Sequence, residues 1–190
     1  ELRRALEQLG RGRIFSKAQN VNEEEMDMAI NEVMAAARVM SREHTGALIV
    51  FEREVGLNDF VDTGILIDAV LSRELIKNIF VPSTPLHDGA VIIRDNKVAT
   101  ACSYLPLTES NKISKEFGTR HRAAIGLSEQ TDALTFVVSE ETGAISIAYK
   151  GNFIHDLSIQ EFEEELSLVL LKEQEPRQSF FQRWIGGSKK

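Results

Sequence analysis

Apolar positions along the chain follow two periods, and each change of period marks a new element. Met26, Ile30, Val33, Ala37 and Met40 recur three or four apart, which predicts an amphipathic helix running to about His44. Asn22 with Glu25 reads as a capping box opening that helix. Glu23, Glu24, Glu25 and Asp27 follow in its first turn, where the helix dipole favours negative charge. Gly46 is a plausible carboxy-terminal cap. An earlier helical stripe, Leu2, Leu6 and Leu9, ends at Gly10-Arg11-Gly12.

The pattern then tightens into short apolar runs. Ala47 to Glu52 and Ile65 to Leu71 read as strands, with a loop or weak strand from Val55 to Asp62 between them. Ser72 caps a helix from Arg73 to Phe80. Ala90 to Arg94 and Lys97 to Ser103 form a hairpin around Asp95-Asn96. A polar loop from Leu107 to Phe117 leads to a helix that Thr119 can cap, from Arg120 to about Glu129. Ala133 to Ser139 and Ala144 to Tyr149 are two further strands. Ser158 and Glu161 make a capping box for a last helix to about Glu173, with Ile159, Phe162, Leu166, Val169 and Leu170 inward. The expected fold is α/β: a single globular domain with a central mixed sheet of about six or seven strands and about five flanking helices. Its expected boundaries are a juxtamembrane helical segment at 1–20, a catalytic domain at 21–173 and a carboxy-terminal tail at 174–190. Phe180, Phe181, Trp184 and Ile185 in that tail suit membrane, a partner or the domain itself, and packing on the domain is the favoured reading.

Charge narrows the partners. A formal net charge of −7 argues against a duplex nucleic-acid binder, which usually carries a dominant basic footprint, but leaves a free nucleotide open. Arg3, Arg4, Arg11 and Arg13 make the start locally basic, as suits a segment on the cytoplasmic side of a membrane or an ordinary solvated helix face. No run of 18 apolar residues exists, and the chain starts at Glu1 within a helical pattern, as if cut from something longer. The single cysteine, Cys102, reads as a buried small hydrophobe.

Three stretches carry candidate chemistry. In His87-Asp88-Gly89-Ala90, Asp88 is a hard oxygen ligand suited to Mg²⁺ or Mn²⁺, His87 is a borderline ligand, and Gly89 permits close backbone approach. The same residues also suit a plain Asp-Gly turn. In Gly118-Thr119-Arg120-His121-Arg122, a glycine and a helix start expose backbone N–H groups. Arginines in a first turn are opposed by the dipole and are costly without an anion, although a solvated helix start remains the simpler alternative. Ser139-Glu140-Glu141-Thr142-Gly143 closes a strand: Ser139 suits a phosphate and a carboxylate there suits a metal, or the segment is a surface turn. Tyr104-Leu105 suits an aromatic base or the core. His44 and His155 attract no assignment.

Together these segments resemble the diadenylate cyclase (DAC) domain. Asp88-Gly89-Ala90 matches its DGA signature and Arg120-His121-Arg122 its RHR signature. The resemblance runs from about Val21 to Glu173 and takes in Asp62-Thr63-Gly64, Pro85 to Ala90, Gly118 to Ala124 and Ser139 to Gly143. The basic start and short tail are similar to the membrane-anchored CdaA type, where about three transmembrane helices precede this domain. No long helical, DNA-binding region follows, unlike the DNA-scanning type.

The resemblance implies that two ATP become cyclic di-AMP and two pyrophosphates in a head-to-head homodimer, each 3′-hydroxyl attacking the facing α-phosphate. It implies a divalent ion, Mn²⁺ or Mg²⁺ with Co²⁺ as a further option, on His87 and Asp88. Asp88 also helps activate the hydroxyl. By the same resemblance Gly89 and Ala90 pass close to ribose or phosphates, Gly118, Thr119, Arg120 and Ser139 meet phosphate, and His121 and Arg122 shape the site. Glu141 lies near metal or phosphates, and Tyr104 and Leu105 border adenine. It further implies the cytoplasmic face of the bacterial cell membrane, with a membrane-bound regulator and a cell-wall precursor enzyme as partners. Rival readings are a nucleotide-sensing module without turnover, and a phosphohydrolase suggested by the His-Asp pair. The latter family is helical around its pair, whereas this pair precedes a strand.

Overall fold

The structure is a computed structural model that describes residues 14–110, 114 and 117–171, and the side chains from residue 24 onward. The basic start before residue 14 and the tail after Leu171 lie outside the described residues. Seven strands form one sheet: β1 (Ala47–Phe51), β2 (Ile65–Val70), β3 (Ala90–Arg94), β4 (Lys97–Ser103), β5 (Leu134–Val138), β6 (Ile145–Tyr149) and β7 (Asn152–Leu157). Among the described residues, five helices flank it: α1 (Ile14–Glu43), α2 (Asn58–Val61), α3 (Arg73–Ile79), α4 (Thr119–Gln130) and α5 (Ile159–Leu171). The strand order is β2-β4-β3-β1-β5-β6-β7, with β1 parallel to β3 and every other neighbour antiparallel, so the sheet is mixed as expected.

β1 sits at the centre and is buried along its whole length, because helices cover both faces. Alternate side chains then feed two cores. Ile49, Phe51, Val91, Ile93, Phe136 and Val138 face the layer holding α1, α3 and α5. Leu48, Val50, Ile92 and Val137 face α4, where Ala123, Ala124 and Leu127 meet them. The β3–β4 turn needs two left-handed residues, and Asp95 (φ 49°) and Asn96 (φ 59°) supply them without glycine.

Several local expectations need correction. Asn22 does not open the helix, since α1 continues unbroken from Ile14; no glycine or proline interrupts it before Glu43. Its end is capped by His44 rather than Gly46. His44 is left-handed (φ 53°), its N–H donates to the Ser41 carbonyl at 3.3 Å, and Thr45 N–H donates to Met40 O at 2.8 Å, the paired bonds of a Schellman turn. Gly118, not Thr119, is the N-cap of α4, and no side chain caps it. The segment Val55 to Asp62 holds the short helix α2. β7 has no counterpart among the expected strands. Only Ile154 and Leu157 of its six residues are buried, and a bulge with left-handed Asp156 (φ 60°) breaks the alternation that would betray a strand. The Ser72 and Ser158–Glu161 caps both form: Leu75 N–H donates to Ser72 Oγ, and Ser158 and Glu161 exchange reciprocal bonds of 2.8 and 3.2 Å.

α4 approaches the chain that leaves β4 very closely. A Cβ on Gly126 would stand 2.2 Å from the Pro106 carbonyl oxygen. Gly126→Ala must push that backbone away and is expected to destabilise the fold by about 1–3 kcal/mol. Urea midpoints at unchanged slope would measure this, and a midpoint equal to wild type would contradict it.

Candidate active site

The candidate residues collect on one edge of the sheet. That edge is made by the starts of β1 and β3 and the ends of β4 and β5, with the amino terminus of α4 beside them. A small cleft of about 60 Å³ lies there, lined by Gly118 to His121 and by Ser139 to Glu141. His87 joins through Arg120, whose Nη2 lies 3.5 Å from the His87 carbonyl.

Arg120 is the tie between these segments. Its Nη1 donates to Glu140 Oε2 at 2.7 Å, so the cation that the helix dipole opposes is balanced by a carboxylate of the same protein. This removes the need for an anion at rest, contrary to the sequence expectation, and brings in Glu140, an acid not singled out there. Gly46 makes room for the pair. A Cβ at that position would lie 2.6 Å from Arg120 Nη1 and 2.8 Å from Glu140 Oε2. Glu141 instead offers backbone: its carbonyl accepts from His44 Nδ1 at 3.2 Å, and its N–H donates to Ser139 Oγ at 3.3 Å. Ser139 Oγ also accepts from Thr142 N–H at 3.2 Å. Ser41 Oγ donates to Gly143 O at 2.6 Å, so the end of α1 clamps this turn. His44, given no role by sequence, thus supports the site; the signal for it was its place at the end of a long helix.

Asp88 is exposed at the mouth of β3. Beneath it the β3–β4 pairing slips, with Ala90 opposite Ser103 but Ile92 opposite Thr100. The slip is a bulge at Cys102, which is left-handed (φ 57°). Gly89 (φ 129°) presses on it, and a Cβ at Gly89 would lie 2.8 Å from the Cys102 carbonyl carbon. Cys102 is therefore half-buried beside the site rather than a core filler, and its thiol donates to the Asp88 carbonyl at 2.8 Å. Ala90 is fully buried and seats this turn on the sheet. Tyr104 N–H donates to Thr63 Oγ1 at 2.9 Å and the residue is 65% exposed, while Leu105 is half-buried against the α4-side core. Arg122 stands apart from the cleft: it is half-buried, and its carbonyl accepts from Thr108 N–H at 3.0 Å.

His121 is enclosed by Phe117, Phe153 and His155 at ring-centroid distances of 5.2, 6.2 and 6.0 Å. Its Nε2 is buried with no protein partner among the described residues. Burial above all, then the nearby His155 and Arg120, pushes its pKa down to about 4, so the ring is neutral at pH 7.

The family model described as DisA bacterial checkpoint controller nucleotide-binding (DAC) matches residues 34–153. The chain is 48% identical over its full length to cyclic di-AMP synthase CdaA of Bacillus subtilis, covering 69% of that protein. The chain belongs to the diadenylate cyclase family. It is also 49% identical to the diadenylate cyclase of Listeria monocytogenes, over 98% of this chain and 68% of that one. Among solved structures, a double-cysteine variant of DacA from Staphylococcus aureus superposes with a TM-score of 0.76 at 49% identity, covering 78% of this chain and 99% of that one. A hypothetical membrane-spanning protein from Bacillus cereus gives 0.65 at 45% identity, over 67% of this chain and 63% of that one. No described helix here is long and apolar enough to cross a membrane.

A diadenylate cyclase domain implies a divalent metal. The described residues contain no cluster of three metal-binding side chains, and His87 with Asp88 is the candidate pair that the sequence singles out. That fits an ion completed by water and substrate phosphates. The geometry of His87 supports the pair. Its Nδ1 donates to the Thr84 carbonyl at 2.6 Å, which fixes the proton there and leaves the Nε2 lone pair for a ligand.

The buried, neutral His121 makes stability depend on acid. Below pH about 6.5 the unfolded chain binds a proton that the folded ring refuses until about pH 4. Stability is therefore lost as pH falls through that window. His121→Phe keeps an aromatic ring among its neighbours and is expected to flatten this loss, measured as the variant-minus-wild-type unfolding free energy at pH 7 and at pH 4.5. A parallel dependence in both proteins would refute the assignment.

Proposed function

We propose that this chain condenses two ATP into cyclic di-AMP and two pyrophosphates, each domain holding one nucleotide and two domains meeting face to face. The observation that carries this reading is the convergence of the α4 amino terminus with Arg120, the strand-end turn and the His87–Asp88 pair on one edge. Free N–H groups at a helix start and a guanidinium suit a triphosphate. An exposed acid at the mouth of β3 suits a hydroxyl presented from outside.

In this reading Gly118, Thr119, Arg120 and Ser139 receive the phosphates. Arg120 then exchanges its Glu140 partner for phosphate oxygens, and Glu140 and Glu141 flank the charge that leaves. Tyr104 and Leu105 border the adenine, and Gly89 and Ala90 let ribose or phosphates pass close to the backbone. Asp88 draws the proton from an incoming 3′-hydroxyl as its oxygen attacks the α-phosphorus. The bond from that phosphorus to the bridging oxygen breaks, and pyrophosphate leaves in line. His87 and Asp88 would hold a divalent ion, Mn²⁺ or Mg²⁺ with Co²⁺ as a further option, which would supply Lewis-acid stabilisation of the phosphoryl charge. His121, neutral and walled by aromatics, sets the rear of the cleft, and Arg122 braces the loop at Thr108. The attacking hydroxyl belongs to the other domain's ATP, so a single copy holds half of the reaction centre. In the longer protein, an amino-terminal region would hold the domain at the cytoplasmic face of the membrane.

Incubation with ATP and Mn²⁺, followed by chromatography, is expected to yield pyrophosphate and a cyclic dinucleotide; release of inorganic phosphate and ADP alone would reject the reading. Asp88→Asn is expected to lower turnover by about 10²–10⁴-fold, with an unchanged melting temperature and circular dichroism. Wild-type output from that variant would remove Asp88 from the chemistry. Specific activity is expected to fall on dilution into the nanomolar range, and a value independent of concentration would count against transient pairing unless sedimentation shows a constitutive catalytic dimer.

A further inference from the structure

The opposite end of the sheet is built for a different purpose. There the β3–β4 hairpin turns at Asp95-Asn96, β2 finishes at Val70, and the amino-terminal half of α1 passes beside them. Between them lies an open groove of about 660 Å³. Its apolar floor includes Met28 and Val70, and its rim carries Glu25, Glu32, Glu74 and Asp95 with one cation, Lys97; Glu74 pairs with Arg73, whose backbone N–H also bonds Glu32. Met28 and Val70 are 61% and 77% exposed. Apolar side chains this open, with acids outnumbering cations on the rim, mark a surface that something covers.

The described residues end within reach of it. Because Leu157 pairs with Ile145, α5 starts at the catalytic edge and runs away from it. Its last turn, Leu170 and Leu171, packs on the fringe of the same core as Met26 of α1. From α5 above β6 to the groove above β4 is four strand spacings, about 19 Å. The residues between Leu171 and Phe180 reach about 30 Å when extended. The chemistry matches too: residues 176–190 hold Arg177, Arg183, Lys189 and Lys190, no acid, and the apolar set Phe180, Phe181, Trp184 and Ile185.

We propose that the carboxy-terminal tail of the same chain folds back into this groove. Its aromatic side chains seat on Met28 and Val70, and its cations face the acidic rim. Tethering makes the tail's effective concentration far higher than that of any second copy, which favours this occupant. Docked there, the tail straps α1 to the β3–β4 hairpin at the end away from the nucleotide.

Trp184 is the only tryptophan, so its fluorescence reports the tail alone. In the full 190-residue chain its emission is expected to be blue-shifted and protected from acrylamide, independent of protein concentration. Met28→Asp with Val70→Asp changes two exposed side chains outside the catalytic edge. The pair is expected to raise the quenching constant severalfold while ATP turnover and the melting transition persist. Protection that disappears on dilution assigns the tail to a second copy and overturns the proposal. So does protection that the double variant leaves intact, and so does protection that arises only on adding phosphatidylglycerol vesicles.

Discussion

Arg120 is held between a carboxylate and a carbonyl that come from opposite neighbours of the central strand. Glu140 follows β5 and His87 precedes β3, and the guanidinium at the start of α4 bonds to both. Three segments far apart in sequence are thereby fixed at one edge. The contact depends on an absence, since any side chain at Gly46 would occupy the place of the pair. The side chain of Arg120 is only 21% exposed while that of Glu140 is 65% exposed, so water screens the pair from the carboxylate side. In the proposed reaction, a phosphate arriving here would not meet a vacant cation. It would meet one already oriented, whose partner is 65% exposed and free to swing into water.

The regular parts of this fold were legible because burial imposed a period. Ala47–Phe51, Ala90–Arg94 and Leu134–Val138 read as strands since both of their faces are covered. Ser158 and Glu161 could be paired by spacing alone. What escaped were features decided by tertiary context. β7 breaks its own alternation at a bulge, and the left-handed cap at His44 uses a residue that sequence rules do not favour there. Asn22 had the chemistry of a cap, but the helix did not need to begin there.

The site shows the same division. The two signatures named the segments, and the structure brings His87, Gly118 to His121 and Ser139 to Glu141 together. The supporting cast was silent in sequence. Cys102 reads as a core filler because nothing local announces a left-handed bulge, yet that bulge is what accommodates Gly89 under Asp88. His155 and Phe153 belong to the strand that sequence did not reveal, so the aromatic enclosure of His121 could not be foreseen. Glu140 and Glu141 are adjacent acids, and only the direction of the turn decides which carboxylate meets Arg120.

α1 gives the molecule a mechanical property. At 30 residues it is a rod about 45 Å long, stiff over its length because no residue in it breaks the hydrogen-bond ladder. One tip is bolted to the β5–β6 turn through Ser41 and His44, and that turn carries the acid opposite Arg120. The other tip projects toward the amino terminus. Between the two tips, Ala29, Ile30, Val33, Ala37 and Met40 are buried in the main core, so the helix is held to the sheet along its middle. The position of Glu140, and with it the pairing of Arg120, is therefore tied through Ser41 and His44 to the same helix that organises the main core.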